Sequence, residues 1–237
     1  MNLSCHKYLC LFFFCFLANN AFAQKEEIYV FKNPSTGGTG KFYMGREIAQ
    51  LMSFKGKDWL ERDSRPNEEN TALAISNLPV TNNSVVGDIG AGTGYYTFRI
   101  AEKVPEGKVY AVEIQEDAVQ YLKERAKKLN KDNVEAIEGG EKSPNLPENA
   151  LDLVVMVDVY HELLYPEEML ASIRRSLKAD GKLLLIEYRG EDPSLGIKRL
   201  HKMTVKQIEK ELGFNGFHLA QNGQFMNIQH FLVFEKE

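Results

Sequence analysis

Residues 85–94 have the sequence VVGDIGAGTG, in which an apolar stretch runs directly into three glycines at alternate positions. An apolar stretch of this length predicts a buried strand, and the amphipathic residues that follow predict a helix. The sequence therefore places a glycine loop between a strand and a helix. Such a loop lets the backbone approach a ligand closely and directs the first N–H groups of the helix towards an anion, either a carboxylate or a phosphate.

The spacing of the glycines helps to separate two kinds of ligand. Dinucleotide-binding folds use G-x-G-x-x-G, and in that register the third glycine would fall on Tyr95, whereas this sequence has G-x-G-x-G. An acid, Glu113, ends the second predicted strand about 20 residues further on, where a carboxylate accepts hydrogen bonds from the two hydroxyls of a ribose. The glycine loop and Glu113 together indicate that a ribose binds here.

From residue 84 onward, predicted strands alternate with predicted helices. The strands are expected at residues 85–89, 109–113, 134–137, 151–157, 183–187, 217–220 and 229–234. The first five are apolar and are followed by helices or loops, which predicts a parallel sheet covered on both sides. The last two strands have no helix between them and predict an antiparallel hairpin. The expected fold is α/β, with a mostly parallel seven-stranded sheet and helices on both faces.

Residues 88–94 resemble motif I of the class I S-adenosylmethionine (SAM)-dependent methyltransferases, and Glu113 matches the ribose-binding acid of that family. The resemblance extends from residue 72 to residue 234. It implies the Rossmann-like fold of the family, methyl-transfer activity and SAM as the cofactor.

The resemblance also implies which residues contact SAM. The glycine loop would hold the methionine end, and Glu113, with Ile114 beside it, would hold the ribose. The adenine contact falls in the loop after the third strand, at Glu138 or Glu141, of which Glu141 is favoured. The expected cofactor-binding residues are Asp88, Gly90, Ala91, Gly92, Gly94, Glu113, Ile114 and Glu141.

The fourth predicted strand is followed by the sequence DVYHE at residues 158–162. Ligands of open α/β sheets bind outside the carboxyl ends of the strands, so this loop is expected to face the transferring methyl group. His161 is either a general base that takes a proton from the acceptor or a side chain that fixes the loop. Asp158 is expected to orient the amino group of SAM or the substrate, and Tyr160 belongs either to the site or to the core. The Asn/Asp-Pro-Pro-Tyr signature of many amino-group methyltransferases is absent from the sequence.

Composition and charge bear on the remaining partners. The five histidines form no H-x-x-x-H motif, and His161, His201 and His230 are scattered along the sequence, so no metal site is expected. The formal net charge is −4 without a basic block, which disfavours nucleic acid as a partner. The expected acceptor is a small molecule.

The first 23 residues have the features of a secretory signal peptide. Lys7 precedes an apolar run at residues 9–18 and an A-x-A site at residues 21–23. The run is shorter than the roughly 18 apolar residues that span a bilayer, so no membrane span is expected after removal of the leader. All three cysteines lie in the leader, so the mature chain would lack disulfides and would be periplasmic or secreted.

The mature chain is expected to have two parts. Residues 24–70 form a lead-in of helices that caps the cofactor, because the apolar residues within 42–53 have near-helical spacing, and residues 71–237 form the SAM-binding domain. Tyr43, Trp59 and Arg62 are candidates for the cap, although a lone tryptophan such as Trp59 is more often a core anchor.

Two other functions remain open. A NAD-dependent oxidoreductase is opposed by the glycine spacing and by the lack of a tyrosine followed four residues later by lysine after the fourth strand. An exported, non-catalytic binding protein that retains the fold is favoured by the cytoplasmic origin of SAM. The polar stretch at residues 187–192 either binds a charged substrate or is a solvated loop.

Overall fold

The computed structural model describes residues 28–237; the predicted leader at residues 1–23 lies outside the described residues. Ten strands are present in this part of the chain: β1 Tyr29–Phe31, β2 Gly38–Tyr43, β3 Arg46–Ala49, β4 Val85–Ile89, β5 Lys108–Glu113, β6 Val134–Glu138, β7 Leu151–Val157, β8 Leu177–Tyr188, β9 Phe217–Asn222 and β10 Gln229–Lys236. The helices are α1 Arg65–Glu68, α2 Thr71–Ser76, α3 Thr97–Lys103, α4 Glu116–Lys128, α5 Pro166–Ser176 and α6 Val205–Phe214, with short 3₁₀ helices at Phe54–Trp59, Tyr160–Glu162 and Arg199–His201.

Seven strands form the main sheet in the order β6-β5-β4-β7-β8-β10-β9. The first five of these strands are parallel to one another, and β10 pairs antiparallel with both β8 and β9. The prediction of a mostly parallel seven-stranded sheet with a terminal antiparallel hairpin is therefore confirmed. Strands β5 and β6 lie on one side of β4, and β7 lies on the other side. The strand order therefore reverses between β4 and β7.

The core lies on both faces of this sheet. In β7, Val154 and Met156 pack on one face in a cluster with α5 and α6, while Leu153 and Val155 pack on the other face with α2 and α3. Neighbouring residues of a strand point to opposite faces, so a strand covered on both sides must be apolar throughout. This is why the continuous apolar runs of the sequence became the central strands.

The lead-in contains a small antiparallel sheet, β1-β2-β3, rather than the expected helix over residues 42–53. Met44 and Gly45 form a two-residue loop between β2 and β3, with φ values of 49° and 96°. Two successive positive φ values are typical of the tight turns that close β-hairpins, and glycine adopts such values without steric cost. Among the described residues, no helix has the length and apolar character that crossing a membrane requires.

A buried ion pair fastens the lead-in to the C-terminal part of the domain. Arg46 in β3 donates from Nε and Nη2 to the two carboxylate oxygens of Glu211 in α6, at 2.8 and 2.9 Å. Glu211 is fully buried and also accepts a hydrogen bond from the Tyr160 hydroxyl at 2.8 Å. The fork of Arg46 matches the carboxylate geometrically, so the pair fixes orientation as well as charge.

Candidate active site

A cavity of about 750 Å³ lies at the carboxyl ends of the parallel strands. Its sheet side is formed by the ends of β4, β5, β7 and β8, and the lead-in contributes residues 49–54, 59, 60 and 62 to its wall. In open α/β sheets, ligands bind where the strand order reverses, which here is the boundary between β4 and β7. The cavity therefore occupies the position that the fold provides for a ligand.

The glycine loop forms part of the cavity wall at Gly90 and Gly92, whose φ values are 70° and 56°. A Cβ atom on Gly90 would lie 2.5 Å from Cγ2 of Val159, and one on Gly92 would lie 2.7 Å from Cδ1 of Leu60. The loop thus passes closer to its neighbours than any other residue type allows. The backbone N–H of Gly90 donates to the carbonyl of Val112 at 2.9 Å, which ties the loop to β5.

Glu113, at the end of β5, is only 8% exposed and lies in the same cavity wall. Its two carboxylate oxygens accept hydrogen bonds from the backbone N–H groups of Gly92 at 2.8 Å and Ile114 at 3.0 Å. Burial raises the pKa of Glu113, against the effect of these N–H groups. Each oxygen retains acceptor capacity after one hydrogen bond, so the carboxylate can still accept the hydroxyls of a ribose.

The other expected cofactor residues divide into two groups. Ile114 and Glu141 line the cavity, whereas Asp88, Ala91 and Gly94 do not. Ala91 and Gly94 lie behind the loop surface, where a Cβ atom on Gly94 would lie 2.4 Å from the Phe98 ring. Of the residues that the motif predicts to contact the cofactor, only Gly90 and Gly92 of the loop line the cavity.

Asp88 is buried beneath the loop and accepts a hydrogen bond from the Thr97 hydroxyl at 2.5 Å. Burial raises its pKa to about 7, and the negative charge of Glu113 acts in the same direction. In this position Asp88 supports the turn into α3 and does not face the cavity. Glu138, the alternative adenine contact, also lies outside the cavity wall.

Asp158 follows β7 with a φ of 55°, a value that few residues other than glycine adopt. It lines the cavity, and both of its carboxylate oxygens accept from the side-chain amide of Gln229, at 2.8 and 3.1 Å. Burial, followed by the nearby charges of Glu69 and Glu187, raises the pKa of Asp158 well above its usual range. Acids with a strongly raised pKa that line a cavity are common at functional sites.

Tyr160 is fully buried, and its hydroxyl is occupied by Glu211. It does not line the cavity. Of the two positions considered for Tyr160, the structure places it in the core.

His161 does line the cavity, although it is only 1% exposed. Its Nδ1 lies 2.7 Å from Oε2 of Glu187, the penultimate residue of β8. The other oxygen of Glu187 accepts the backbone N–H groups of Val159 and Tyr160, at 3.1 and 2.7 Å. Burial alone would lower the pKa of His161, but the carboxylates of Glu187 and Glu162 raise it to about 10. The histidine is thus oriented by a carboxylate that is itself held by two backbone donors.

The second nitrogen of His161 faces two further polar side chains. Its Nε2 lies 3.0 Å from Nδ1 of His201. Oε1 of Glu162 lies 3.8 Å from Nε2 of His161 and 3.3 Å from Nδ1 of His201. Although burial acts to raise it, hydrogen bonding to both histidines brings the pKa of Glu162 to about 2. His161, His201 and His230 are far apart in the sequence, but the fold brings His161 and His201 together. His230 lies apart, with Nε2 at 2.8 Å from Glu191.

The lead-in contributes a second charged group to the wall, held together by Glu69. The carboxylate of Glu69 accepts from Arg62, Arg65 and the Tyr188 hydroxyl, each at 2.8 Å. All four residues line the cavity. The arrangement anchors the lead-in to the end of β8.

Trp59 also lines the cavity, with 49% of its surface exposed and the Arg62 guanidinium 3.9 Å from its ring centroid. The expectation that Trp59 is a core anchor is therefore wrong. Tyr43, the other aromatic candidate for the cap, is fully buried and does not line the cavity.

Most of the polar stretch at residues 187–192 is used inside the protein. Glu187 holds His161, Tyr188 holds Glu69, and Arg189 and Glu191 both contact His230. Glu187 and Tyr188 are therefore internal, whereas Glu191 is exposed, and only Tyr188 of this stretch lines the cavity.

Sequence reasoning named Glu162 and Glu187 only within longer candidate stretches, and it missed His201, Arg65 and Glu69 as members of the site. Glu162 had a signal, since it follows His161 in the loop after β7. His201 stands 40 residues from its partner and follows no strand of the sheet, so no local pattern identifies it.

Comparison with known proteins agrees with this architecture. Residues 81–231 match a family model described as a methyltransferase domain. A fibrillarin-like rRNA/tRNA 2′-O-methyltransferase of Methanosarcina barkeri is 28% identical over 72% of this chain and 75% of its own length. A protein of Sulfurisphaera tokodaii, named "Probable cobalt-precorrin-6B C(15)-methyltransferase (decarboxylating)", is 31% identical over 62% of this chain and 76% of its own length.

A crystal structure of a SAM-dependent methyltransferase from Aquifex aeolicus superposes with a TM-score of 0.73. It is 24% identical and covers 78% of this chain and 98% of its own, so the likeness concerns the fold. The family match covers well over half of the chain, including the glycine loop, Glu113 and the loop after β7. The chain therefore belongs to the class I SAM-dependent methyltransferases.

Proposed function

We propose that this protein transfers a methyl group from SAM to a small-molecule acceptor that carries an ionisable hydroxyl, amine or thiol. One observation carries the proposal: a single cavity is lined both by the glycine loop with Glu113 and by His161, Glu162 and His201. Its volume of about 750 Å³ lies within the range of small-molecule sites, roughly 300–1,000 Å³. Cofactor and acceptor would thus share one cavity.

The residues of the cavity fit SAM. Gly90 and Gly92 would pass along its methionine end, Glu113 would accept the two ribose hydroxyls, and Glu141 would lie towards the adenine. Asp158 would accept hydrogen bonds from the amino group of SAM. When bound, SAM supplies a methyl group on a sulfonium, and the carbon–sulfur electron pair returns to sulfur as the acceptor bonds to the methyl carbon.

The acceptor's proton has to leave for this bond to form. The groups that we propose to act on that proton are the side chains of His161, Glu162 and His201, because they lie together in the cavity wall at and beside the loop after β7. Methyl transfer otherwise depends on in-line alignment of the reacting atoms, which the walls of the cavity would provide. The wall contributed by the lead-in, including Trp59, would hold the acceptor in place.

The identity of the acceptor cannot be taken from the relatives, whose names refer to RNA and to a corrinoid precursor. The acidic net charge does not exclude RNA as an acceptor, because a relative named for rRNA and tRNA methylation shares this domain. The expectation that nucleic acid is disfavoured as a partner is therefore not supported. The small-molecule proposal rests instead on the volume of the cavity and on the wall that segments of the lead-in add to it. Neither the oxidoreductase nor the non-catalytic alternative gains support from the family match.

We also propose the division of the chain expected from the sequence. Residues 1–23 would be removed on export to the periplasm or exterior, residues 24–70 would form the lead-in, and residues 71–237 the SAM-binding domain. The A-x-A site after a short apolar run supports the first boundary. Mass spectrometry of the protein recovered from its native host would test it, with an N-terminus at Gln24 expected and an N-terminus at Met1 contradicting export.

Calorimetric titration of the full chain with SAM, S-adenosylhomocysteine and NAD tests the proposed cofactor. Binding of SAM and S-adenosylhomocysteine without binding of NAD is expected. Acceptor classes are then compared by the S-adenosylhomocysteine released from phenols, thiols, amines and short RNAs. Binding of NAD alone would contradict the proposal, and turnover of RNA alone would replace the proposed acceptor.

A further inference from the structure

Three potential metal ligands converge on the cavity wall: Nε2 of His161, Oε1 of Glu162 and Nδ1 of His201. The three atoms form a triangle with edges of 3.0, 3.3 and 3.8 Å. A tetrahedral ion with ligand bonds of about 2.1 Å has its ligand atoms about 3.4 Å apart. The edges of the triangle bracket that value, so one ion can contact all three atoms without rearrangement of the backbone.

Glu187 prepares His161 to be a ligand. Its carboxylate lies against Nδ1 and holds a proton there, so an ion that displaces the other ring proton would bind the lone pair of Nε2. The same carboxylate–histidine arrangement orients most metal-binding histidines and makes them more basic. Glu187 cannot rotate away easily, because its second oxygen accepts two backbone N–H groups.

We propose that His161, Glu162 and His201 bind a divalent transition-metal ion such as Zn²⁺, and that the acceptor's oxygen or sulfur occupies the next coordination position. This inference rests on the proposed function, because it assigns the acceptor to the same cavity. Two histidines and one glutamate form a ligand set of catalytic zinc sites, which keep one position open for water or substrate. The side chain of His201 is 21% exposed, so the cluster is not sealed from the cavity.

A bound ion would account for the removal of the acceptor's proton. Coordination lowers the pKa of a bound hydroxyl or thiol, so its proton passes to water while the electron pair stays on oxygen or sulfur. That pair then forms the bond to the methyl carbon. The ion is neither oxidised nor reduced, which suits Zn²⁺.

The competing explanation is a hydrogen-bond network without an ion. The Nδ1–H of His201 would donate to Nε2 of His161 and to Glu162, and the distances of 3.0 and 3.3 Å permit this. The substitution Glu187→Gln separates the two explanations, because it should weaken the binding of an ion. The glutamine amide would donate to Nδ1 of His161 and so move the ring proton to Nε2, which abolishes the lone pair that an ion requires.

Zinc binding is measured by equilibrium dialysis of the untagged full-length chain, in which Cys5, Cys10 and Cys15 are replaced by serine to remove its only thiols. The tested variants are Glu187→Gln and His201→Ala, and the matched control is His218→Ala, whose side chain is 51% exposed. One ion per chain is expected in the parent and the control. Glu187→Gln should weaken the affinity by about 10- to 100-fold, and His201→Ala by more.

Cobalt(II) gives an independent signal, because a tetrahedral site with histidine ligands should produce visible absorption that His201→Ala removes. Circular dichroism of each variant establishes that it is folded. Absence of a stoichiometric ion from the parent at micromolar Zn²⁺, or equal binding by the parent and both variants, would overturn the inference. Titration with S-adenosylhomocysteine keeps the two proposals separate: a parent that binds it but no ion loses only the metal site.

Discussion

Replacing Glu113 by glutamine tests the central assignment of the cofactor site. The carboxylate presently accepts from Gly92 and Ile114 through different oxygens, and both oxygens retain capacity for a ribose hydroxyl. Glutamine keeps the shape of the side chain but has one acceptor oxygen instead of two. Its NH₂ group must therefore face one of the two backbone donors.

Two magnitudes follow from this geometry. One charge-assisted hydrogen bond to the ribose is lost, worth about 1.5–3 kcal/mol, or about 10- to 150-fold in the dissociation constant. One buried backbone N–H also loses its acceptor, which costs about 1–3 kcal/mol of folding free energy. Glu113→Ala removes both carboxylate oxygens, so its affinity for the ligand that carries the ribose should fall at least as far as that of Glu113→Gln.

The assay is calorimetric titration with S-adenosylhomocysteine, accompanied by thermal unfolding without ligand. Glu124→Gln is the matched control, because Glu124 is an exposed acid in the middle of α4, away from the helix end. It should change neither quantity. A glutamine variant at position 113 that is less stable but binds S-adenosylhomocysteine as tightly as the parent would refute the ribose assignment and leave Glu113 a purely structural role.

Three further changes test other parts of the site. Glu69→Ala leaves buried Arg65 without its carboxylate partner, so urea unfolding should show a loss of about 3–5 kcal/mol, and a loss below about 1 kcal/mol would contradict the anchoring role. Burial raises the pKa of Asp88 to about 7, so the folded state holds this proton more tightly than the unfolded state and loses stability as pH rises towards 7. Asparagine at position 88 does not titrate, so the free energy of unfolding of Asp88→Asn, relative to that of the parent, should increase by about 3 kcal/mol between pH 5 and pH 8 in calorimetric scans. A difference between the two proteins that stays constant with pH would count against burial of the charge. His161→Asn should reduce turnover while SAM affinity stays within about twofold, and the reverse pattern would make the histidine structural.

The main sheet could be predicted from the sequence because its signals are local. Continuous apolar runs identified the strands of a doubly covered sheet, and the missing helix between residues 217–220 and 229–234 identified the terminal hairpin. The lead-in could not be predicted in this way. Its near-helical spacing of apolar residues conceals two short strands, and the deciding feature is the backbone conformation of Met44 and Gly45.

The cavity was predicted only where its residues follow directly from a strand. Gly90, Glu113 and Asp158 stand at or just after the ends of β4, β5 and β7, so the topology alone brings them together. Glu69 and His201 come from segments whose positions depend on tertiary contacts with β8 and with the loop after β7. No periodicity in the sequence encodes such contacts.

The buried pair between Arg46 and Glu211 has a consequence for the order in which the chain folds during synthesis. The two residues are 165 positions apart. A ribosome adding about 5–20 residues per second needs roughly 10–30 s to complete that interval. Throughout this time the hairpin that carries Arg46 has been synthesised without the carboxylate that neutralises it. The lead-in therefore cannot complete this contact until α6 has been synthesised.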